Sequence, residues 1–273
     1  MIKVISKNNE LAECPIYSLK DNVLYWVDIL KFKVFSYDFK TKVTNSIKLK
    51  YHPTAIFLTN KSKTILILTI KKIFKTNFKY LKDIFSFSFK PNFRTNDAKV
   101  INRSKIIFSI MDKKKNKFGS IYYLDFVKKK IVLFANKIKI PNSIAKDENR
   151  TFFADSQNGK IFFYKDKKKI LFNKNNFQNS EPDGSIIDQN GMLMNANYKN
   201  SSIDIYDKKG SLSKQINLPC KHPTSLCLAG KHLNQIIVTS AKNKNSKNKY
   251  DGTVFILNIH HRFKGLAERE LHV

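Results

Sequence analysis

Three oxygen-bearing side chains stand next to prolines at widely separated points of the chain. Glu13 lies two residues before a proline, whereas Asn142 and Asp183 each directly follow one. Carboxylate and carboxamide oxygens, completed by water, are the ligands that a hard divalent cation prefers. Three protein ligands leave open coordination positions, as a catalytic metal requires. These residues form a candidate metal site, provided that the fold brings them together.

Glu13 lies among apolar neighbours that do not favour its charge. It falls within LAECPI, shortly before the apolar run VLYWVDI. Burying an ionised carboxylate is costly unless a positive charge pairs with it. Glu13 and Asp183 together would balance the two charges of a divalent metal ion. A bound metal therefore explains why an acid stands at this place.

The segments around these residues belong to a repeating pattern. A proline followed by a small or polar residue and an apolar pair occurs in CPIYSL, HPTAIFL, IPNSIAK, EPDGSII and HPTSLCL, with a less regular copy in KPNFRTNDAKV. Each copy continues into apolar strands joined by turns of Asn, Asp, Gly and Lys. The prolines stand about 40 residues apart, which is the length of one four-stranded propeller blade. Six copies predict an all-β fold, a six-bladed β-propeller formed by residues 1–273 as a single domain.

The repeat also predicts how the candidate residues meet. The innermost strand of each blade lines the central channel, so residues at equivalent repeat positions converge on one mouth of that channel. The polar residues at the repeat starts are Glu13, Thr54, Arg94, Asn96, Asp97, Asn142, Asp183 and Thr224. The N-terminal segment IKVIS is expected to pair with the C-terminal strands, because a closed ring leaves no open sheet edge. The sequence therefore predicts a metal site at the central channel.

The chain is strongly basic, with 51 Lys and Arg against 21 Asp and Glu and a net charge of +30. The lysines are spread through turn-like segments such as MDKKKNKFG, and Lys, Asn, Ile and Phe, which AT-rich codons encode, are all abundant. A compositional bias explains this charge without a specific nucleic-acid partner. A weak attraction to anions still follows from the positive electrostatic field of the protein. No apolar run approaches the roughly 18 residues of a membrane span, and the segment MIKVISKNNELAEC lacks the longer apolar stretch expected of a secretory signal. We expect a cytoplasmic protein that is a monomer or a weak homo-oligomer.

The same segments carry a family resemblance. LAECPIYSLKDNVLYWVDI resembles the N-terminal pattern of the gluconolactonase/regucalcin (senescence marker protein) family, and RTNDAK resembles its Arg-Phe-Asn-Asp-Gly-Lys motif. EPDGSIIDQNGMLMNANYKN is similar to the family's Pro-Asp-Gly blade, and HPTSLCLAGKHLNQIIVTSA is similar to its Pro-Thr-Ser segment and the strand that follows. The resemblance covers nearly the whole chain, and the combination of segments is specific.

The resemblance implies a metal-dependent enzyme. In this family a Glu, an Asn and an Asp hold a calcium, zinc, magnesium or manganese ion, and these roles fall on Glu13, Asn142 and Asp183. The family's substrate-contacting Arg and Asn fall on Arg94 and Asn96. Many members hydrolyse sugar lactones, so the implied reaction is hydrolysis of a small sugar-lactone substrate to the aldonic acid. The resemblance also gives Asp183 the catalytic role of accepting a proton from water.

Several positions depart from the family pattern. Ala98, Ser109 and Ser143 stand where the family has glycine, and Ile110 stands where it has threonine. A lysine in DKKKNKFG stands where the family has an acidic residue. These changes leave the metal-binding residues intact and affect the expected substrate pocket, so the sugar itself does not follow from the resemblance.

Two alternatives share the predicted fold and metal site. One is a non-catalytic calcium-binding propeller, and the other is a hydrolase of phosphoesters or organophosphates. Arg94 and Asn96 favour a lactonase over the non-catalytic protein, because a structural metal does not need them.

Overall fold

The computed structural model describes residues 2–166, 168–173, 179–243, 245–258 and 263–273. Its strands form six antiparallel sheets of four strands each. The strands are β1 Ile2–Ser6, β2 Ala12–Ser18, β3 Val23–Asp28, β4 Lys33–Asp38, β5 Thr44–Lys48, β6 Pro53–Leu58, β7 Ile65–Thr69, β8 Lys72–Thr76, β9 Leu81–Ser86, β10 Phe93–Asn102, β11 Lys105–Asp112, β12 Gly119–Asp125, β13 Lys130–Ile138, β14 Pro141–Lys146, β15 Thr151–Asp155, β16 Lys160–Lys165, β17 Lys168–Leu171, β18 Pro182–Ile187, β19 Leu193–Asn197, β20 Ser202–Tyr206, β21 Leu212–Asn217, β22 Pro223–Ala229, β23 Gln235–Ser240 and β24 Val254–Leu257.

The sheets are arranged as the blades of a propeller. Strands β2, β6, β10, β14, β18 and β22 each contact the next one in this order, and β22 contacts β2, so they form the inner ring. β1 pairs with β24 in the blade ordered β1-β24-β23-β22. This pairing joins the two ends of the chain in one blade. The predicted six-bladed propeller and its closure are confirmed.

Every inner strand contains one extra residue at the same place. A register shift interrupts each pairing between an inner strand and its neighbour, at Glu13/Ile16, Pro53/Ala55, Thr95/Ala98, Asn142/Ala145, Pro182/Ser185 and Pro223/Ser225. A β-bulge turns the side chains beside it away from their regular alternation. Six bulges at one level therefore redirect the repeat-start side chains at one mouth of the channel.

In the third blade the repeat proline lies outside the inner strand, as the irregular KPNF copy indicated. Pro53, Pro141, Pro182 and Pro223 each begin an inner strand. Pro91 instead lies exposed in a turn closed by the Phe93 amide, which donates to the Lys90 carbonyl at 2.8 Å. In this blade the bulge is therefore at the same place as in the other blades, whereas the proline is not.

Helical structure is scarce in the described residues. A single 3-10 turn at Ser156–Asn158 follows β15, and the Ser156 hydroxyl donates to the Pro182 carbonyl at 2.6 Å. Within the described ranges no helix has the length and hydropathy that a bilayer crossing demands.

The C-terminal segment, residues 263–273, crosses the channel mouth at which the inner strands end. Glu268 in this segment pairs with Lys99 of β10 at 3.2 Å. Leu271 is fully buried, its amide donates to the Leu58 carbonyl at 2.9 Å, and its carbonyl accepts from the Asn60 amide at 3.0 Å. The segment therefore closes the mouth opposite the repeat-start residues.

We expect Leu271→Ala to destabilise the fold by about 2 to 5 kcal/mol, because truncating a fully buried leucine removes apolar contacts and leaves a cavity. Thermal unfolding followed by calorimetry measures this as a fall in Tm. Leu266→Ala is the matched control in the same segment, since the Leu266 side chain is 50% exposed. Equal falls in Tm for the two variants would contradict a packing role for Leu271.

Candidate functional site

A pocket of about 160 Å³ opens at the mouth where the inner strands begin. The five residues predicted to bind the metal or the substrate all line it: Glu13, Arg94, Asn96, Asn142 and Asp183. They lie on four inner strands, β2, β10, β14 and β18. The structure therefore brings together side chains that are up to 170 positions apart in the chain.

Asn142 and Asp183 are fixed by hydrogen bonds between neighbouring blades. Asn142 Nδ2 donates to Asp183 Oδ1 at 2.5 Å, and Asn142 Oδ1 accepts from the Ser143 amide at 3.1 Å. The Ser143 hydroxyl donates to the Asp183 carbonyl. Asn195 Nδ2 donates to the same carbonyl at 2.8 Å. This network holds the carboxamide and the carboxylate side by side at the pocket floor.

Gly184 allows the strand that carries Asp183 to approach the next blade. A Cβ atom at this position would lie 2.2 Å from Ser225 Oγ and 2.9 Å from Ser225 Cα. No side chain fits at such distances, so only glycine permits β18 and β22 to pack this closely. The Pro-Asp-Gly sequence therefore combines a candidate ligand with the backbone that positions it.

Glu13 and Asp183 are half-buried carboxylates whose charges repel each other. Burial raises the pKa of Glu13, as does the nearby charge of Asp97, while a hydrogen bond from the Cys14 amide and the Arg94 charge act in the opposite direction. Burial also raises the pKa of Asp183 well above its ordinary value, and Glu13 and Asp97 raise it further. Desolvation and like charges both disfavour the ionised form. When both carboxyl groups are ionised, the site therefore holds more negative charge than Arg94 alone compensates.

Asp97 lies behind the pocket and joins two bulges. Its Oδ2 accepts from the Ile144 amide at 2.6 Å, and its Oδ1 accepts from the Ala98 amide at 2.7 Å. Burial raises the pKa of Asp97 to about 6, although these hydrogen bonds oppose the shift. Asp97 therefore fixes the β10 bulge to the β14 strand that carries Asn142.

Arg94 and Asn96 form one wall of the pocket. Arg94 Nη1 donates to the Thr95 carbonyl at 3.0 Å, and Asn96 Nδ2 donates to the Pro141 carbonyl at 3.2 Å. Burial lowers the pKa of Arg94, whereas the charges of Glu13 and Asp183 raise it. The remaining guanidinium N–H groups and the Asn96 carboxamide oxygen are suited to polar groups of a small ligand.

The pocket floor fits a hard divalent cation by its donor chemistry and its charge. Glu13, Asn142 and Asp183 offer only oxygen ligands, which calcium and magnesium prefer. A cation between the two carboxylates would offset the burial and the like-charge repulsion that raise their pKa values. Across the described residues there is no group of three His, Cys, Asp or Glu side chains arranged to hold a metal. The carboxamide of Asn142 would therefore have to be the third protein ligand.

Four of the five departures from the family pattern lie beneath the pocket rather than on its wall, and the fifth, a lysine of the loop at residues 113–118, belongs to the segment that reaches the wall through Lys115. Ala98 and Ile110 are buried in the core. The Ser109 hydroxyl donates to the Pro141 carbonyl at 3.0 Å, and Ser143 bonds within the Asn142–Asp183 network. None of these four residues is among the side chains that line the pocket. Their effect on a ligand would therefore be exerted through the backbone of the inner strands.

Four further polar residues of the pocket wall had no role predicted from the sequence: Lys115, Ser156, Glu181 and Tyr198. The sequence shows the lysine-rich loop of Lys115 only as a turn and as a departure from the family pattern. The Tyr198 ring stacks on His222 with 4.4 Å between ring centroids. Burial, followed by the charge of Asp183, raises the pKa of Tyr198 to about 12. Tyr198 directly follows β19, the strand that pairs with the Asp183 strand, and this adjacency is the signal that would have indicated it.

Comparison with known proteins shows the family to which this six-bladed propeller belongs. Residues 11–242 of the chain match the protein family described as "SMP-30/Gluconolactonase/LRE-like region". The chain therefore belongs to the SMP-30/gluconolactonase family, and the resemblance found in the sequence is confirmed.

Several relatives are similar to this protein over most of the chain. A Bacillus subtilis protein named "Putative sugar lactone lactonase YvrE" is 28% identical over 88% of this chain and 87% of its own length. Regucalcin of Xenopus laevis is 25% identical over 87% of this chain and 85% of its own length. The crystal structure of a calcium-binding regucalcin from Agrobacterium tumefaciens has a TM-score of 0.91 and is 22% identical, covering 99% of this chain and 97% of that one. The last comparison supports the fold alone.

Proposed function

We propose that the protein hydrolyses a sugar lactone to the aldonic acid, with one divalent metal ion bound by Glu13, Asn142 and Asp183. The observation that carries the proposal is the convergence of these three residues with Arg94 and Asn96 in one pocket. Membership of the SMP-30/gluconolactonase family and the lactonase name of the Bacillus relative support it. The calcium-binding regucalcin neighbour makes calcium the first ion to test, followed by zinc, magnesium and manganese.

The residues of the pocket have complementary roles in this reaction. When bound, the metal ion would polarise the ring-ester carbonyl and stabilise negative charge on its oxygen. The Asp183 carboxylate accepts a proton from the water that attacks the carbonyl carbon, and it returns this proton to the ring oxygen when the bond between that oxygen and the carbonyl carbon breaks. Arg94 donates hydrogen bonds to the sugar hydroxyls, and Asn96 accepts one through its carboxamide oxygen. These contacts orient the ring so that the ester faces Asp183.

A panel of aldonolactones tests the reaction. Acid release measured by a pH indicator, with and without a chelator, should show metal-dependent turnover of at least one five- or six-membered sugar lactone above the spontaneous rate. A protein that binds calcium but hydrolyses no lactone in the panel would refute the proposal and favour a non-catalytic calcium-binding propeller. Turnover of phosphotriesters in place of lactones would favour the organophosphate hydrolase.

Arg94→Ala should separate substrate orientation from metal binding. We expect kcat/KM for a hydroxyl-rich lactone to fall about 100-fold, because hydrogen bonds to a charged donor contribute roughly 1.5 to 3 kcal/mol each. Metal affinity should not fall, since removing a cation beside Glu13 and Asp183 does not disfavour a second cation. Titration calorimetry and lactone turnover measure the two effects. Arg103→Ala, which removes an exposed arginine outside the pocket, is the control, and an equal loss of turnover in both variants would contradict the role of Arg94.

The stabilisation that calcium gives should increase with pH. Glu13 has its pKa raised from 4.5 to about 8 in the folded protein without metal. The neutral carboxyl group of Glu13 therefore contributes stability to the folded protein. This contribution is fully present below pH 4.5 and is lost as the pH rises through 8, where Glu13 ionises. Calcium binds the ionised carboxylate and must displace the proton below that range. We expect the calcium-induced rise in Tm to grow between pH 5.5 and pH 8, and a rise independent of pH would contradict the assigned ligand.

A further inference from the structure

The pocket wall carries a second side-chain cation whose charge the reaction described above does not use. Lys115 lines the pocket from the loop between β11 and β12, residues 113–118. This loop has the sequence KKKNKF, so four of its six residues are lysines. The Lys115 side chain is exposed, and it takes part in none of the ion pairs found among the described residues. Its ammonium is therefore available to a ligand.

The loop that carries Lys115 is anchored at its base. The buried Asp112 carboxylate accepts from the amides of Asn116 and Lys117 at 3.0 Å each, and the Lys115 amide donates to the Asp112 carbonyl at 3.0 Å. Lys115 itself has a φ of 58°, in the left-handed region. These hydrogen bonds define the turn and place Lys115 at the pocket rim.

The loop is also supported from its far side. Lys139 Nζ lies 4.5 Å from the centroid of the Phe118 ring. The Lys139 ammonium also donates to the Asn116 carbonyl at 3.5 Å. The loop is thus held on both sides, and the position of Lys115 over the pocket is a property of the fold.

The charges of the pocket favour an anionic ligand at the rim. Glu13, Glu181 and Asp183 are the acidic side chains of the wall, and Arg94 and Lys115 are the basic ones. With a divalent cation on the floor, the positive charges exceed the negative ones. The cation on the floor would balance Glu13 and Asp183, which leaves Glu181 as the one acid of the wall against Arg94 and Lys115. Arg94 also interacts electrostatically with Glu13 and Asp183, whereas Lys115 forms no ion pair among the described residues, so Lys115 is the basic group left without a partner. A neutral lactone offers no partner to this charge.

Resting on the proposed function, we propose that the pocket selects sugar lactones that bear an anionic substituent, with Lys115 pairing with that group. The reacting ester must lie beside Asp183 on the floor of the pocket. In a six-membered sugar lactone the exocyclic C6 lies farther from the reacting carbonyl carbon than any ring carbon, so a substituent on C6 can extend from the floor to the rim, where Lys115 lies. A phosphate, sulfonate or carboxylate on that carbon would form a charge-assisted hydrogen bond with the ammonium.

The experiment compares kcat/KM for a neutral lactone with kcat/KM for its anionic counterparts. Glucono-1,5-lactone is the neutral substrate, and its 6-phosphate, its 6-deoxy-6-sulfonate and the corresponding 6-carboxylate lactone are the anionic ones. We expect the wild-type protein to favour at least one anionic lactone about tenfold or more. Lys115→Gln should lower this anionic-to-neutral ratio about tenfold, and Lys115→Glu should lower it further. The three anionic lactones distinguish which group the rim accepts.

Lys114→Gln is the matched control, because it removes one lysine of the same loop that does not line the pocket. The chain carries a net charge of +30, and its general field would attract any anion without selecting a site. If only the overall positive charge of the protein attracts anionic lactones, the Lys114 and Lys115 variants should change the anionic-to-neutral ratio of kcat/KM equally. That result would overturn the proposal. Equal kcat/KM for neutral and anionic lactones in the wild-type protein would also overturn it while leaving the lactonase function intact.

A binding measurement keeps the two proposals separable if no lactone is hydrolysed. 1,5-Anhydroglucitol and its 6-phosphate reproduce the ring without the ester, and titration calorimetry in calcium measures their affinities. Tighter binding of the 6-phosphate that is lost in Lys115→Gln would support the anion site even where the lactonase function fails. Equal binding of the two analogues would refute the anion site.

Discussion

Replacing Asp183 with alanine should reduce kcat/KM for lactone hydrolysis by about 1000-fold or more, even at saturating metal. Loss of one preorganised electrostatic group costs roughly 100- to 1000-fold, and Asp183 is proposed to serve as both a metal ligand and the proton acceptor. Excess metal would restore occupancy but would not replace the base. Initial rates of acid release over a range of metal concentrations measure the effect.

Asp83→Ala is the control for this variant, since Asp83 lies on the outer strand β9 with its side chain 53% exposed. We expect its turnover to equal that of the wild-type protein. Asp183→Asn should also be inactive, because a carboxamide accepts no proton from water at neutral pH. Wild-type turnover in either Asp183 variant would show that the reaction takes place elsewhere or by another route.

Replacing Glu13 with glutamine should weaken metal binding and stabilise the metal-free protein at the same time. A neutral amide removes one of two repelling, half-buried carboxylates, so the cost of ionising Glu13 disappears. We expect metal affinity to fall about 10- to 100-fold and turnover at limiting metal to fall with it. Above pH 8 the Tm of the metal-free variant should exceed that of the metal-free wild-type protein.

A higher Tm of the metal-free variant together with a lower metal affinity is expected if Glu13 is a metal ligand. It is not expected if Glu13 only stabilises the fold. Titration calorimetry measures the affinity, and scanning calorimetry in a chelator measures the Tm. Glu10→Gln is the matched control, because Glu10 pairs with Lys242 at 3.3 Å outside the pocket. A lower Tm for metal-free Glu13→Gln, together with unchanged metal affinity, would show that Glu13 stabilises the fold and does not bind the metal.

The fold was predictable because each blade repeats the same local pattern. The Pro-polar-apolar segments at Pro53, Pro141, Pro182 and Pro223 each begin an inner strand, and their spacing gives the blade length. The first and third blades follow the pattern less closely, with Pro15 inside β2 and Pro91 in a turn. The extra residue in each inner strand could not be predicted, because a bulge depends on pairing with a second strand.

The floor of the pocket was predictable for the same reason, and its rim was not. Glu13, Asn142 and Asp183 occupy equivalent positions beside the bulges, so the repeat alone places them together. Lys115 and Tyr198 lie outside the inner strands, and their distance from the pocket depends on how loops fold over it. The C-terminal segment that covers the opposite mouth has no counterpart in the repeat. Its position is fixed by packing of Leu271 and by the ion pair of Glu268 with Lys99.

Metal add-back to the chelator-treated protein tests the central claim most directly. Lactone turnover is followed while calcium or manganese is titrated into the metal-free wild-type protein, with the spontaneous rate subtracted. One ion bound by Glu13, Asn142 and Asp183 predicts that turnover is absent at the start, rises with the metal bound, and levels off at one equivalent. Full turnover in the metal-free protein, or no turnover with one equivalent bound, would contradict the claim.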